Sequence, residues 1–176
     1  MLQGNTAMRT LLAEQNIVIA EVPEKAVFPI WTKRDTTGRP YWGVSHFWSM
    51  DKNGVSAEQD LSRLEWDGNE IHLDAFCQAD IPSILRDMIG ILKAWLRQME
   101  RDWPDTPFYL LGSYDDGAEL VNKDDHPDCF FSVTARFWAP RGQNTVVYLD
   151  DFDDWGQPAL LGFCGSAVCS KKEGTS

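Results

Sequence analysis

One stretch of the sequence, residues 80–102, repeats apolar side chains at steps of three and four residues. The residues of this stripe are Ile81, Ile84, Leu85, Met88, Ile91, Leu92, Trp95, Leu96 and Met99. Such a period is typical of an α-helix that buries one broad face. Asp80 is a suitable N-cap, and Pro82 fits the first turn, where its missing N–H costs nothing. The pattern therefore predicts one long amphipathic helix over 80–102.

The segments on both sides of this helix predict β-strands. Alternating or short apolar runs bounded by turn residues indicate strands at 16–22, 26–32, 41–49, 61–66, 70–76, 107–114, 129–138, 144–152 and 159–164. Residues 61–76 and 129–152 are predicted hairpins, and residues 10–15 a short helical turn. We therefore expect an α+β fold, in which a mainly antiparallel sheet of six to eight strands packs against the long helix. The expected single domain covers 10–169, with flexible tails at 1–9 and 170–176.

The 176-residue chain carries a formal net charge of −11, and this charge is unevenly distributed. Residues 102–154 contain 12 acidic and 3 basic residues, so most of the excess lies in less than one third of the chain. A field of this sign repels nucleic acid and anionic membranes and attracts basic proteins. No run approaches the roughly 18 apolar residues of a membrane span, and the first residues lack a signal-peptide core. We therefore expect a cytoplasmic protein with a basic protein partner, and no direct contact with nucleic acid or membrane.

Aspartates from three segments of the C-terminal half are the main candidates for a binding site. If their loops converge, closely spaced carboxylates imitate the phosphates of a nucleic acid or complement a basic toxin. The predicted partner-binding residues, with two tryptophans as apolar anchors, are Asp115, Asp116, Asp124, Asp125, Asp150, Asp151, Asp153, Asp154, Trp138 and Trp155. This set predicts a small acidic inhibitor, either an immunity protein or an anti-defence protein that blocks a nucleic-acid-binding enzyme. The alternative is a solvated acidic surface that keeps the protein soluble.

The sequence Tyr148-Leu149-Asp150-Asp151 follows an apolar run and delivers two adjacent carboxylates. These four residues resemble the metal-binding motif of reverse transcriptases. The resemblance implies that Asp150 and Asp151, with Asp74 as a third carboxylate, hold Mg²⁺ or Mn²⁺ for phosphoester chemistry. A hairpin strand that ends in solvated aspartates explains the motif equally, and the chain is too acidic to supply a basic template groove. A metal-dependent phosphoester enzyme is therefore the alternative to the inhibitor.

Three cysteines and one histidine in the C-terminal half give a second alternative. His126, Cys129, Cys164 and Cys169 match a tetrahedral zinc set, which would make the protein a zinc-stabilised scaffold. Cys129 and Cys164 also lie at the ends of apolar strands, where a buried thiol acts as a small hydrophobic group. The sequence lacks Gly-x-Ser-x-Gly, Gly-Lys-Ser/Thr and Gly-x-Gly-x-x-Gly. We therefore predict a binding protein that has no enzymatic activity and needs no cofactor.

Overall fold

The computed structural model describes residues 1–44, 60–73, 80–116, 131–141 and 149–165. In these ranges the chain forms helices and strands in the mixture predicted from the sequence, so the α+β class is confirmed. The helices are α1 (Thr6–Glu14), α2 (Leu61–Gly68) and α3 (Ile81–Asp102). The strands are β1 (Leu2–Gly4), β2 (Ile30–Arg34), β3 (Pro40–Val44), β4 (Ile71–His72), β5 (Phe108–Asp115), β6 (Ser132–Trp138) and β7 (Ala159–Cys164).

The main sheet has five strands in the order β1-β7-β5-β6-β4, and every neighbouring pair is antiparallel. Strands β2 and β3 form a separate two-stranded hairpin. The six to eight strands expected in one sheet are therefore divided between two sheets in the described part of the chain. The inner strands β5, β6 and β7 are the longest of the main sheet. Among the described residues, the edge strands β1 and β4 have only three and two residues.

The long helix predicted over 80–102 is confirmed as α3. The Asp80 carboxylate accepts a hydrogen bond from the Ser83 N–H at 2.9 Å, and Pro82 lies in the first turn. At the other end, the Trp103 N–H donates to the Met99 carbonyl oxygen at 2.9 Å, which closes the last turn. Among the described residues, no helix is long and apolar enough to cross a membrane.

Helix α3 packs on one face of the main sheet, and a glycine permits its close approach. A Cβ atom at Gly112 of β5 would lie 2.7 Å from Met88 Sδ and 2.8 Å from Leu92 Cδ1. Trp95, near the middle of the buried stripe, is 1% exposed, and its ring meets Phe137 of β6 edge to face at 5.2 Å. This interface forms the main hydrophobic core, so α3 and the sheet fix each other's position.

The first nine residues were expected to form a loose tail, and that prediction is wrong. Leu2–Gly4 forms β1, which pairs with β7 at one edge of the main sheet. Helix α1 begins at Thr6, earlier than the helical turn expected at 10–15, because the Asn5 side chain caps it by accepting from the Met8 N–H at 2.9 Å. The N-terminal segment is therefore part of the folded sheet.

The strand predicted at 16–22 is also wrong. Asn16 has a φ of 53°, and Ile19–Glu21 forms a 3-10 turn. Lys93 of α3 accounts for this geometry, because its ammonium group donates to several carbonyl oxygens of the segment. These acceptors are the carbonyls of Ile19, Ala20 and Val22. These hydrogen bonds tie the carbonyl groups of the turn to α3.

The hairpin predicted at 61–76 is replaced by a helix and a very short strand. Asp60 caps α2, because its carboxylate accepts from the Ser62 N–H at 3.0 Å and the Arg63 N–H at 3.3 Å. Leu61 and Glu65, one turn apart, are both buried. A glutamate counts as polar in a sequence pattern, so the inward face of this helix could not be recognised from apolar spacing. Residues 74–79, which include the rest of the predicted hairpin, lie outside the described residues.

Glu65 joins α2, the β2–β3 hairpin and the main sheet. Its fully buried carboxylate accepts from the Trp42 N–H at 3.0 Å, the Ala139 N–H at 2.7 Å and Arg141 Nη2 at 2.6 Å. Burial raises the pKa of Glu65, while the guanidinium group and the two N–H groups oppose this rise because they favour the ionised form. Close by, Asn69 Nδ2 donates to the Trp42 carbonyl oxygen at 3.1 Å. These contacts fix α2 against β6 and so determine what covers the neighbouring part of the sheet.

Candidate partner-binding surface

The main sheet has a second face, opposite α3, which we name the outer face. Side chains alternate along a strand, and the pairing of β5 with β6 and β7 places Tyr109 between Trp138 and Phe163 on this face. The Tyr109 ring lies 5.4 Å from the Trp138 ring and 6.3 Å from the Phe163 ring. Three aromatic side chains therefore form one row across the inner strands. The other outer-face residues of these pairings are Leu111, Ser113, Asp115, Ser132, Thr134, Arg136, Ala159 and Leu161.

Exposure to solvent increases along this aromatic row. Trp138 is only 3% exposed, because Trp66 of α2 packs edge-on against it with ring centroids 4.8 Å apart. At the other end Phe163 is 43% exposed, although β7 is an inner strand. Tyr109 and Leu161 are half-buried. We name Tyr109, Leu161 and Phe163 the aromatic patch, and exposed apolar patches of this kind often mark contact sites.

An acidic turn, residues 150–154, is anchored on the same outer face. Phe152 is buried in a cluster with Leu111, Trp138 and Ala159, and its ring meets the Trp155 ring edge to face at 5.2 Å. Three backbone hydrogen bonds over residues 149–155 close the turn, including one of 2.9 Å from the Asp154 N–H to the Asp151 carbonyl oxygen. The turn has four carboxylates, and all of them are exposed to solvent. They belong to Asp150, Asp151, Asp153 and Asp154. Apolar anchors thus hold four short acidic side chains in solvent.

Asn5 ties the acidic turn to the N-terminal segment. This fully buried side chain donates from Nδ2 to the Gln157 carbonyl oxygen at 2.9 Å and to the Trp155 carbonyl oxygen at 3.3 Å. Its Oδ1 accepts from the Ala159 N–H at 3.1 Å as well as capping α1. Arg9 adds a 3.0 Å ion pair with Asp153, but both side chains are largely exposed, so its contribution is small. Asn5 is thus the main polar contact that positions the segment after the turn.

One backbone hydrogen bond links the end of β5, which carries two of the predicted aspartates, to the segment that follows the acidic turn. Asp115 and Asp116 are exposed at the end of β5. The Tyr114 N–H beside them donates to the Pro158 carbonyl oxygen at 3.0 Å, and residue 158 lies on the segment that leads from the acidic turn into β7. The third segment, with Asp124 and Asp125, lies outside the described residues.

The two tryptophans predicted as apolar anchors differ in their surroundings. Trp138 is buried under Trp66, so its prediction as a surface contact is wrong, and its role is to support Tyr109 from within. Trp155 is half-buried beside the acidic turn and keeps part of its surface in contact with solvent. The burial of Trp138 was not predicted, because residues 61–66 were expected to form a strand and not the helix that places Trp66 over Trp138.

The two metal-site hypotheses fall mainly on residues outside the described ranges. Asp74, which the phosphoester hypothesis requires, is one of these, as are His126, Cys129 and Cys169 of the zinc hypothesis. In the ranges that the structure describes, no group of three or more His, Cys, Asp or Glu side chains is arranged to hold a metal ion. Asp150 and Asp151 lie in a turn, so the predicted strand at 144–152 does not extend to them.

Cys164 lies in the main core on the α3 side of β7 and is 6% exposed. Burial raises the pKa of this thiol to about 11. Because only the thiolate reacts with iodoacetamide, we expect Cys164 in the native protein to remain unmodified at pH 8 while it reacts fully after denaturation. Mass spectrometry of the peptide that contains Cys164 measures this difference. Rapid native labelling would contradict the buried position.

A groove of about 590 Å³ lies beside β1 and α3, away from the outer face. Leu2, Ile19 and Leu96 form part of its apolar lining. Its cationic side chains already have partners in the protein, since Lys93 binds backbone carbonyl groups and Arg97 pairs with Glu24 at 2.8 Å. The cationic side chains of the groove are therefore already engaged within the protein.

The aromatic patch was not predicted from the sequence, although a signal for it was present. Strand β7 has apolar side chains on both of its faces. Ala159, Leu161 and Phe163 lie on one face, and Leu160 and Cys164 lie on the other. A strand that is apolar on both faces lies between two layers or leaves one face for a partner.

Comparison with protein-family models, with curated proteins and with solved structures gave no match.

Proposed function

We propose that this protein is an acidic binding protein that blocks a basic surface of another protein. The concrete versions are an immunity protein for a toxin and an anti-defence protein that covers the nucleic-acid-binding groove of an enzyme. The observation that supports the proposal is the acidic turn, whose four exposed carboxylates are held by buried aromatic anchors. Asp115 and Asp116 add charge from the neighbouring end of β5.

The geometry of the turn favours binding rather than only solubility. Charges that serve solubility need no fixed arrangement, and the long flexible side chains of Glu and Lys supply them equally. Here the charged groups are aspartates, and Phe152, Trp155 and Asn5 restrain the backbone that carries them. A restrained surface loses less conformational entropy when it binds, so its charges contribute more to affinity. The same field accelerates encounter with a basic partner.

Neutralising the turn is expected to weaken partner capture. The triple variant D150N/D151N/D154N removes three charges and leaves the Arg9–Asp153 pair in place. Because steering by charge changes association rates by about 10- to 1000-fold, we expect the rate to fall about tenfold or more and its salt dependence to flatten. The tagged protein is first used to capture a partner from nuclease-treated lysate of the native host. Surface plasmon resonance with that partner at several salt concentrations then measures the rate.

A matched control removes three charges elsewhere on the surface. Glu14, Glu21 and Glu100 are exposed and lie on α1, on the 3-10 turn after it and on α3. The variant E14Q/E21Q/E100Q has the same net charge as the turn variant, so it separates the position of the charges from their number. If the association rate falls equally in both variants, the effect depends on net charge and not on the position of the charges. Equal binding by wild type and the turn variant, or capture of no salt-sensitive partner at all, would contradict the proposal.

A further inference from the structure

We propose that the aromatic patch beside the acidic turn is a docking site for arginine side chains of the basic partner. This inference deepens the proposed function and rests on it. The acidic turn supplies attraction and orientation, whereas Tyr109 and Phe163 supply flat apolar surfaces on which a guanidinium group stacks.

The position of Phe163 is the first reason. The large apolar side chains that are most exposed in the described ranges are Met1, Val18 and Phe163, and of these only Phe163 lies in a strand. Its neighbours along β7, Gly162 and Cys164, are buried against α3, so the exposure belongs to the outer face alone. Tyr109 and Leu161 extend this surface toward the cluster that anchors the acidic turn.

Charge identifies the occupant as cationic. Carboxylates lie at both ends of the patch. The acidic turn is anchored through Phe152 at one end. At the other end of the patch, Asp105 is exposed just before β5. The carbonyl oxygen of the next residue, Thr106, lies close to the backbone of Gly165, which follows β7. A second copy of the chain would bring another net charge of −11 to this surface, so self-association through it is disfavoured. A protein segment that carries positive charge fits instead.

The outer face already contains the interaction that we infer for the partner. Arg136 of β6 places its guanidinium group 4.2 Å from the centre of the Trp66 ring, and its charge pairs with Glu70 at 2.5 Å. An aromatic ring below the guanidinium and a carboxylate beside it are thus found together on this surface. The aromatic patch and the flanking aspartates offer a partner the same two components. Arginine suits this arrangement better than lysine, because the guanidinium group is planar and more weakly hydrated than an ammonium group.

The experiment compares octa-arginine with octa-lysine as fluorescent probe peptides. They have equal length and charge, so long-range attraction to the acidic turn is about equal, whereas stacking on the aromatic patch and paired hydrogen bonds to carboxylates both favour arginine. Fluorescence anisotropy at physiological salt is expected to give wild-type affinity about fivefold higher for octa-arginine, as stacking on one or two exposed rings predicts. The variant F163A is expected to lower the ratio of the two affinities, because it removes stacking on Phe163 and keeps the carboxylates. Val18 is 54% exposed and lies beside the 3-10 turn on the α3 side, so V18A is the control that keeps the ratio.

The outcomes separate this inference from the proposed function. D150N/D151N/D154N is expected to weaken the binding of both peptides, because the charge of the turn attracts both of them. If the turn variant weakens both peptides while F163A leaves the ratio at its wild-type value, the arginine site is wrong and the acidic inhibitor stands. If the turn variant binds both peptides as wild type does, the proposed function is wrong. Equal affinity of wild type for the two peptides, or binding of neither, overturns the arginine site.

A second measurement locates the bound peptide. Circular dichroism and thermal unfolding first establish that F163A keeps its fold, which its partial exposure predicts. In ¹⁵N-labelled wild-type protein, octa-arginine is expected to shift the amide signals of Leu161 and Phe163 and the indole N–H of Trp155. Shifts confined to the groove between β1 and α3 would contradict the site.

Discussion

Replacing Trp95 by alanine is expected to lower the free energy of unfolding by about 4 kcal/mol, because removing a buried tryptophan leaves a large cavity. The side chain is 1% exposed in the core between α3 and the main sheet, where its ring contacts Phe137. Its indole Nε1 also donates to the Phe28 carbonyl oxygen at 2.9 Å. Phe28 has a φ of 58°, so this hydrogen bond helps to hold an unusual backbone conformation. Domains of this kind are stable by roughly 5–15 kcal/mol, so the variant approaches unfolding.

Urea denaturation followed by circular dichroism measures this change. The variant W95F keeps most of the ring and loses the indole N–H, so we expect it to lose about 1–2 kcal/mol. The surface variant V18A is the control and is expected to stay within about 0.5 kcal/mol of wild type. A loss below about 1 kcal/mol in W95A would show that Trp95 is not enclosed by the core.

Replacing Glu65 by alanine is expected to cost about 3–5 kcal/mol, as is typical when one partner of a buried ion pair is removed. The variant leaves Arg141 without its carboxylate and the N–H groups of Trp42 and Ala139 without their acceptor. These groups lie in two separate parts of the fold, β3 and the segment that follows β6, and Glu65 connects both of them to α2. The expected loss is therefore larger than that of an ordinary hydrogen bond, and the β2–β3 hairpin is expected to detach first.

The variant E65Q separates charge from shape at this position. Glutamine keeps one acceptor oxygen but directs an amide N–H group toward one of the donors, so we expect an intermediate loss. Hydrogen exchange of the β2–β3 amides, together with urea denaturation, measures the local and the global effect. The control E14A changes an exposed glutamate at the end of α1 and is expected to be neutral. Wild-type stability of E65A would mean that the junction does not hold the hairpin.

The parts of the fold that could be predicted are those whose burial follows a regular local period. Helix α3 buries a continuous stripe over 22 residues, and β5, β6 and β7 are long enough for their apolar runs to be recognised. Helix α2 could not be predicted in the same way, because its inward face includes Glu65, which is satisfied by groups distant in sequence. Strand β1 has only three residues, and its pairing with β7 is visible only in the folded chain.

The candidate site was predicted only in its charged part. A run of aspartates is visible in the sequence, and the structure places the acidic turn on the outer face through Phe152. The aromatic patch depends on what covers each strand, which the sequence does not contain. Trp138 and Phe163 illustrate this limit, since both are outer-face aromatics of inner strands but only the first lies beneath Trp66.

The pairing of β1 with β7 has a consequence for how the chain folds during synthesis. Asn5 bonds to Ala159 across 154 positions in the sequence, so the N-terminal strand leaves the ribosome long before its neighbour exists. At translation rates of about 5–20 residues per second, this delay lasts roughly 8–30 s. Helix α3 and β5 emerge within that interval, while one edge of their sheet and the contacts of Met8 with the core are still missing. The nascent chain therefore carries exposed apolar surface until β7 has been synthesised, and exposed surface of this kind promotes aggregation.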